Sequence, residues 1–331
     1  METFVMKKKA FITGITGMDG SHLADLLLSK GYEVHGFVRR TSKPLFENIQ
    51  HIKDKIIIHY GDMTDTTSIH KAIKNASPDE IYNMAGMSQV WQSFKSPVTT
   101  MDINCMGLVR IIESVMFLDL DCKIYQATSS ECFGKVLETP QTEKTPFYPR
   151  SPYGVSKAAA YYTARVYRES YGMKIYCGWL FNHCSPRRGE EFLEKKVSKA
   201  VAEIKNGLRD KVVLGNLQAK RDWGYAVEYC EWIYKIMQHE KPDDFLIATG
   251  ETHSVQEFVE LAFKYVGIDN WRDYVEFDPN LMRPAEVDLL LGDATKSKEV
   301  LGFEPKVKFN ELVNIMVQAE LDKLSSNGTQ G

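Results

Sequence analysis

Apolar and polar positions along the chain alternate in two periods, and the first 40 residues show both. In "KKKAFITGITGMDGSHLADLLLSKGYEVHGFVRR" a short apolar run leads into a glycine-spaced turn. Leu23, Leu26 and Leu27 then recur at helical spacing, and Gly31 stands where a helix would stop. The pattern predicts strand, turn, helix and strand. Short apolar runs recur between further helical patterns: "KIIIHYGD", "EIYNMAG", "KIYQATSS" and "KIYCGWLFN". Strands alternating with helices predict an α/β fold of the Rossmann type, a doubly wound parallel sheet with ligands at the carboxyl ends of its strands.

After Asn182 the texture changes. "HCSPRRGEEF" reads as a polar loop, followed by a helix from about Phe192 to Asn206. "DWGYAVEYCEWIYKIMQ" and "DDFLIATG" predict a helix and a strand that return to the sheet. "SVQEFVELAFKYVG" opens with Ser254 as N-cap and Glu257 three residues later, a capping box. These shifts divide the chain into a dinucleotide-binding domain, 1–182 plus about 224–250, and a smaller C-terminal substrate lobe, about 183–223 plus 251–325. Residues 326–331 are expected to be a flexible tail.

Composition narrows the function classes. The 331 residues are 44% hydrophobic and carry a formal charge of −3, which gives no sign of a nucleic-acid or membrane binder. No apolar run approaches the roughly 20 residues of a membrane span. The N-terminus passes from a few lysines into a strand pattern without a cleavage site. The six cysteines form no CxxC pair and read as buried thiols of a cytoplasmic protein. His183 and His253 have no partners at metal-ligand spacing.

The candidate chemistry begins at Gly14, Gly17 and Gly20, which enclose Met18 and Asp19 between a strand and a helix. Glycines there let backbone N–H groups approach a pyrophosphate at the helix N-terminus. The second strand ends in Arg39 and Arg40 rather than an acidic residue, which favours the 2′-phosphate of NADP over NAD. After the third strand, Asp62, followed by Met63, is placed either to accept from the adenine amino group or to cap the next helix. Tyr153 and Lys157 share a helix face, where an ammonium would lower the phenol pKa and make it a base. Ser129 lies upstream in "QATSSECFG".

With Ser129, Tyr153 and Lys157 the chain resembles the extended short-chain dehydrogenase/reductase superfamily and, within it, the GDP-mannose 4,6-dehydratase family. The likeness runs through "TPFYPRSPYGVSK", "LFNHCSPRRGE", "LGNLQAKRDWGYA", "FLIATGETHSVQEFVELAF" and "RPAEVDLLLGD". It implies a lyase that oxidises C4 of a GDP-linked sugar, eliminates water across C5 and C6, and recycles its NADP. Tyr153 would take the C4 hydroxyl proton, Ser129 would bond the same oxygen, and Lys157 would tune the tyrosine. Glu131, two residues beyond Ser129 on an extended segment and so on the same face, would remove the C5 proton. An epimerase or 4-ketoreductase of the same superfamily is the alternative, and it has no need of Glu131. Ser130 precedes the glutamate, as in the GDP-mannose branch. Ser129 replaces the usual threonine, keeping the hydroxyl.

By the same resemblance Asn182, Lys196, Arg221 and Arg283 are expected at the diphosphate and ribose, Leu214 to Asn216 near guanine, and Glu286 beside them. Arg187 and Arg188 lie in a loop that would reach a neighbouring subunit's cofactor in a homotetramer. The segment "NMAGMSQVWQSFKSP" departs from the family pattern. Ser88 and Ser93 are retained, but Met87 replaces glutamine, Gln89 histidine, Trp91 glycine and Gln92 valine. These changes leave the sugar open among mannose, N-acetylglucosamine and a manno-heptose.

Overall fold

The computed structural model describes residues 7–42, 46–282 and 285–328. Its main sheet has seven strands: β1 (Lys9–Thr13), β2 (Glu33–Arg39), β3 (Ile57–Gly61), β4 (Glu80–Asn83), β5 (Lys123–Ser129), β6 (Ile175–Leu180) and β7 (Asp244–Ile247). They lie in the order β7-β6-β5-β4-β1-β2-β3, and every neighbouring pair is parallel. Nearly every side chain of β1, β4, β5 and β6 is buried, so burial along these strands is continuous rather than alternating.

Helices cover both faces. α1 (Met18–Ser29) buries Leu23, Ala24 and Leu27, and Gly31 at φ +83° turns the chain into β2. α2 (Thr66–Ala76) is capped by Asp65, whose carboxylate accepts from the N–H groups of Thr67 and Ser68 at 3.0 and 3.2 Å. The capping alternative weighed for Asp62 is therefore excluded. Its Oδ1 is taken up locally by the N–H and hydroxyl of Thr64, at 2.9 and 2.7 Å. α3 (Pro152–Tyr171) starts with Ser151 accepting from Gly154 N–H and a proline at its first position. Arg168 near its end forks onto both oxygens of Asp244, at 2.8 and 2.7 Å, tying the helix to β7.

A second core lies beyond the sheet. α4 (Leu193–Lys205), α6 (Val255–Tyr265) and α8 (Phe309–Gly328) bury Val197, Val201, Phe258, Val259, Leu312 and Val313 together. The capping box is present at Ser254 and Glu257. Between α4 and α6 in sequence, α5 (Ala226–Gln238) and β7 rejoin the sheet.

Two boundaries differ from expectation. Val287, Leu290, Ala294 and Leu301 pack into the sheet's core, not the second one. α7 (Thr295–Leu301) lies against β7, with the Ser297 hydroxyl donating to the Leu246 carbonyl and Lys196's distant namesake Lys296 to that of Asp244. The cause is that β7 is an edge strand, whose apolar flank and unpaired backbone groups need a cover. The tail also starts later than 326. Ser326 is inside α8, its hydroxyl donating to Asp322 O at 2.9 Å, and 329–331 lie outside the described residues.

All six cysteines are buried and unpaired by disulfides. Among the described residues no helix is long and apolar enough to cross a membrane, and no cluster of three metal-ligating side chains occurs. The capping assignment gives a direct check. Asp65→Ala should destabilise the chain by about 1 kcal/mol in chemical denaturation, whereas Asp62→Ala should leave α2's contribution untouched.

Candidate active site

A cleft of about 830 Å³ opens where β1, β4, β5 and β6 end, and the residues that follow these strands line it. On the β1 side is the glycine turn. Gly14 holds φ +68°, and a Cβ there would come within 2.9 Å of the Ala85 backbone. A Cβ on Gly20 would stand 2.3 Å from the Gly14 carbonyl oxygen. Gly17 N-caps α1 with no side-chain partner, so bare backbone meets the cleft at a helix N-terminus. Met18, Asp19, Arg39, Asp62 and Met63 line the same end. This bare cradle with a guanidinium at its far end fits a dinucleotide. Arg40 is exposed and is not part of the cleft wall, and Arg283 lies outside the described residues.

Asp19 is placed by more than the turn. Its carboxylate pairs with His183 Nε2 at 2.9 Å, while His183 Nδ1 meets the Phe181 carbonyl at 2.7 Å. Burial pushes the Asp19 carboxyl up, but the charge and hydrogen bond of His183 outweigh it and hold the group below its ordinary value. No spacing rule reaches this pairing, because 164 positions separate the partners.

At the centre of the cleft, β5 delivers Ser129 at its last position and a 3-10 turn over Ser130–Cys132 carries Glu131. The extended segment expected through Glu131 is therefore replaced by a turn. The Ser129 hydroxyl accepts from the Glu131 N–H at 3.2 Å and stops the strand. Both side chains nonetheless line the cleft with Tyr153 and Lys157, all four being buried. Gly154 explains the close fit of α3, since a Cβ there would lie 2.6 Å from the Glu131 carbonyl oxygen.

The expected lowering of the tyrosine pKa is not found in the ligand-free chain. Burial raises the Tyr153 phenol, overcoming the hydrogen bond to Ser129 that pulls it down. Lys157 Nζ stands 5.9 Å from the tyrosine ring centre and donates to the Ala127 carbonyl at 2.9 Å. Burial lowers the Lys157 ammonium to about 8. For both groups burial is the largest influence.

Lys157's anchor belongs to a buried polar chain beneath the cleft. The Ala127 carbonyl also accepts from Gln126 Nε2 at 2.8 Å. Gln126 Oε1 accepts from Asn83 Nδ2 at 2.7 Å, Asn83 Oδ1 from the Thr13 hydroxyl at 2.8 Å, and Thr13 Oγ1 from Ala85 N–H at 3.0 Å. Asn104, also missed, grips the next loop: its Oδ1 accepts from Met87 N–H at 2.8 Å and its Nδ2 donates to Ser156 at 2.9 Å. No motif marks these residues, since each acts through a partner distant in sequence.

Met87, Ser88, Gln89 and Trp91 form the wall beyond that loop. Asn182, Lys196, Leu214, Asn216, Arg221 and Glu286 line the opposite, second-lobe wall. Arg221 is buried, and its guanidinium lies 3.4 Å from the Glu286 carboxylate. Lys196 is half-buried, which lowers its ammonium pKa. Arg187 and Arg188 also border the cleft. Arg187 bonds its own chain, at Asp25 (2.7 Å) and the Ser21 hydroxyl (3.1 Å), and Arg188 lies 3.6 Å over the Phe192 ring.

A family model described as GDP-mannose 4,6 dehydratase matches residues 11–316. The chain belongs to the GDP-mannose 4,6-dehydratase family. It is 49% identical over 328 residues to GDP-mannose 4,6 dehydratase 2 of Arabidopsis thaliana, covering 96% of this chain and 87% of that one. It is 42% identical to the GDP-mannose 4,6-dehydratase of Vibrio cholerae, covering 96% and 94%. Its fold matches a dTDP-glucose 4,6-dehydratase from Streptomyces venezuelae with a TM-score of 0.86 at 20% identity, over 96% of this chain and 98% of that one.

The lysine supplies a pH test. A cation whose folded pKa is about 8, below its unfolded value near 10.5, leaves the unfolded chain holding more protons between those values. Stability from this group therefore rises with pH across that window, by up to about 3 kcal/mol. Denaturation of the ligand-free protein from pH 7 to 10 should show this gain relative to Lys157→Met. A difference that stays flat with pH would remove the lowered amine.

Proposed function

We propose that the protein is a GDP-sugar 4,6-dehydratase that forms a GDP-4-keto-6-deoxy sugar and uses NADP as a recycled cofactor. The observation that carries this reading is a second candidate base, the Glu131 carboxylate, beside Ser129, Tyr153 and Lys157 in one cleft. Membership of the family supports it.

The glycine turn would hold the pyrophosphate of a nicotinamide cofactor, whose ring would accept a hydride from C4 and return it to C6, so that no net reductant is used. The protein's own groups handle the protons. Tyr153 takes the proton of the C4 hydroxyl, and Ser129 holds the same oxygen. Because burial raises the Tyr153 phenol, its work as a base calls for the Lys157 ammonium nearby. The 4-ketone acidifies C5–H; Glu131 removes that proton and passes it to the departing C6 hydroxyl, which leaves as water, and a proton from solvent is then returned to C5 as hydride reaches C6. Arg39 at the cradle's rim supports the 2′-phosphate form of the cofactor.

On the second-lobe wall, Arg221, Lys196 and Asn182 are proposed to hold the diphosphate and ribose, with Leu214 and Asn216 at guanine. The sugar faces Met87, Gln89 and Trp91. Met87 and Trp91 offer few hydrogen bonds, and a sugar hydroxyl buried without a partner costs about 1–3 kcal/mol. That favours a hexose whose substituent at this wall is not that of mannose. A homotetramer with the Arg187–Arg188 loop at a subunit contact belongs to the same proposal, and a monomeric mass in solution would remove it.

The test incubates the enzyme separately with GDP-mannose, GDP-N-acetylglucosamine and a GDP-manno-heptose in heavy water. The expected product has lost one water and gained one deuterium at C5, and the sugar that gives it fastest is the substrate. Mannose turned over far faster than the other two would overturn the sugar assignment. Glu131→Gln should abolish water loss, by at least about a hundredfold, while C4 oxidation persists. Epimerised or simply reduced products from the wild type would replace the dehydratase reading.

A further inference from the structure

Asp222 lies between Arg221 and the short strand Trp223–Tyr225, fully buried, and no step described above uses it. Oδ1 accepts from the Thr249 N–H at 2.8 Å and the Thr249 hydroxyl at 2.7 Å. Oδ2 accepts from the Gly250 N–H at 2.9 Å and the Gly292 N–H at 3.4 Å. A carboxylate offers about four acceptor sites, and these four donors occupy them. Burial raises the Asp222 carboxyl to about 6, and all the named donors pull it back down.

The three segments joined here have separate tasks. One carries Arg221. The second follows β7 at the carboxyl edge of the sheet. The third, 285–293, carries Glu286, the carboxylate that faces Arg221 across the wall of the cleft. It runs beside the first, with Lys220 N–H donating to Asp288 O at 2.8 Å and Leu290 N–H to Lys220 O at 3.2 Å. Gly292 lies so close to β7 that a Cβ there would stand 2.4 Å from Ala248 Cβ. The Asp222 side chain, itself on the first segment, bonds the other two at once.

We infer that Asp222 is a positioning residue for recognition of the nucleotide diphosphate, fixing Arg221 and Glu286 against the carboxyl edge of the sheet. The inference rests on the reading of Arg221 as a diphosphate contact. The four donors occupy Asp222, so its work is to hold the backbone on either side of Arg221 and Glu286. In an Asp222→Asn chain one oxygen becomes an NH2, which in either orientation of the amide meets a backbone N–H, of Thr249 or of Gly250 and Gly292, donor against donor. The segment carrying Glu286 would then shift relative to Arg221, with the glycine turn unchanged at the other end of the cleft.

The test measures GDP and NADPH binding by calorimetry on the full-length protein, for the wild type, Asp222→Asn, Gly292→Ala and Arg221→Met. GDP affinity should fall at least about tenfold in the first two variants, with NADPH affinity unchanged. Should Asp222→Asn fail to fold, Thr249→Val, which removes one of the four donors, and Gly292→Ala carry the same comparison. Loss of GDP affinity in Arg221→Met alone would overturn the positioning role and leave the diphosphate contact standing. Unchanged GDP affinity in Arg221→Met would remove the diphosphate contact itself, and the inference with it. Equal losses of GDP and NADPH in Asp222→Asn would mark a general structural role and overturn the inference.

Discussion

A hydrogen-bonded chain of buried side chains crosses the sheet under the cleft, from Thr13 through Asn83 and Gln126 to the Ala127 carbonyl that holds Lys157. Much of the site depends on it. It runs perpendicular to the strands, so it fixes the ends of β1, β4 and β5 relative to one another at the depth where the functional residues emerge. Each member is at least partly satisfied by the next, which is the condition for a buried polar network to rigidify rather than destabilise. Thr13 precedes the glycine turn and Ala127 precedes Ser129 by two positions, so the glycine turn and the Ser129–Glu131 turn share one frame.

The two lobes contribute different physics to the cleft. The sheet side offers bare backbone and groups whose pKa values are shifted by burial. The second-lobe side offers Arg221, Lys196 and polar loops, which read charge. Asp222 and the segment around Gly292 join these sides by hydrogen bonds between chain segments that the sequence keeps far apart.

What could be read from the sequence was local. The glycine turn, the Ser254–Glu257 capping box and the Tyr153–Lys157 spacing each depend on residues within one turn or one helix, and each is found in place. Local ambiguity misled at Glu131, where a serine hydroxyl capping its own strand turned an expected extension into a 3-10 turn. At Asp62 it left two partners open, and Asp65 proved the better-placed cap. The state of Tyr153 and Lys157 was illegible for another reason: helical spacing gives proximity, but burial decides the sign of a pKa shift. The pairings of Asp19 with His183 and of Asp222 with Thr249 are tertiary, and no spacing rule reaches them.

The return of residues 287–301 to the sheet has a consequence for how the chain is made. β7 and its cover, α7, come late in the sequence, yet they finish the edge of a sheet that begins at Lys9. During synthesis, β1 to β6 can emerge and pair while the flank of β6 still lacks its last partner. Such an unfinished edge is an invitation to pair with other nascent chains. Neither lobe is a contiguous piece of sequence, so the ribosome releases no complete folding unit until α7 is out. High contact order of this kind makes folding slow, and in the cell it makes the half-made chain a natural client for chaperones.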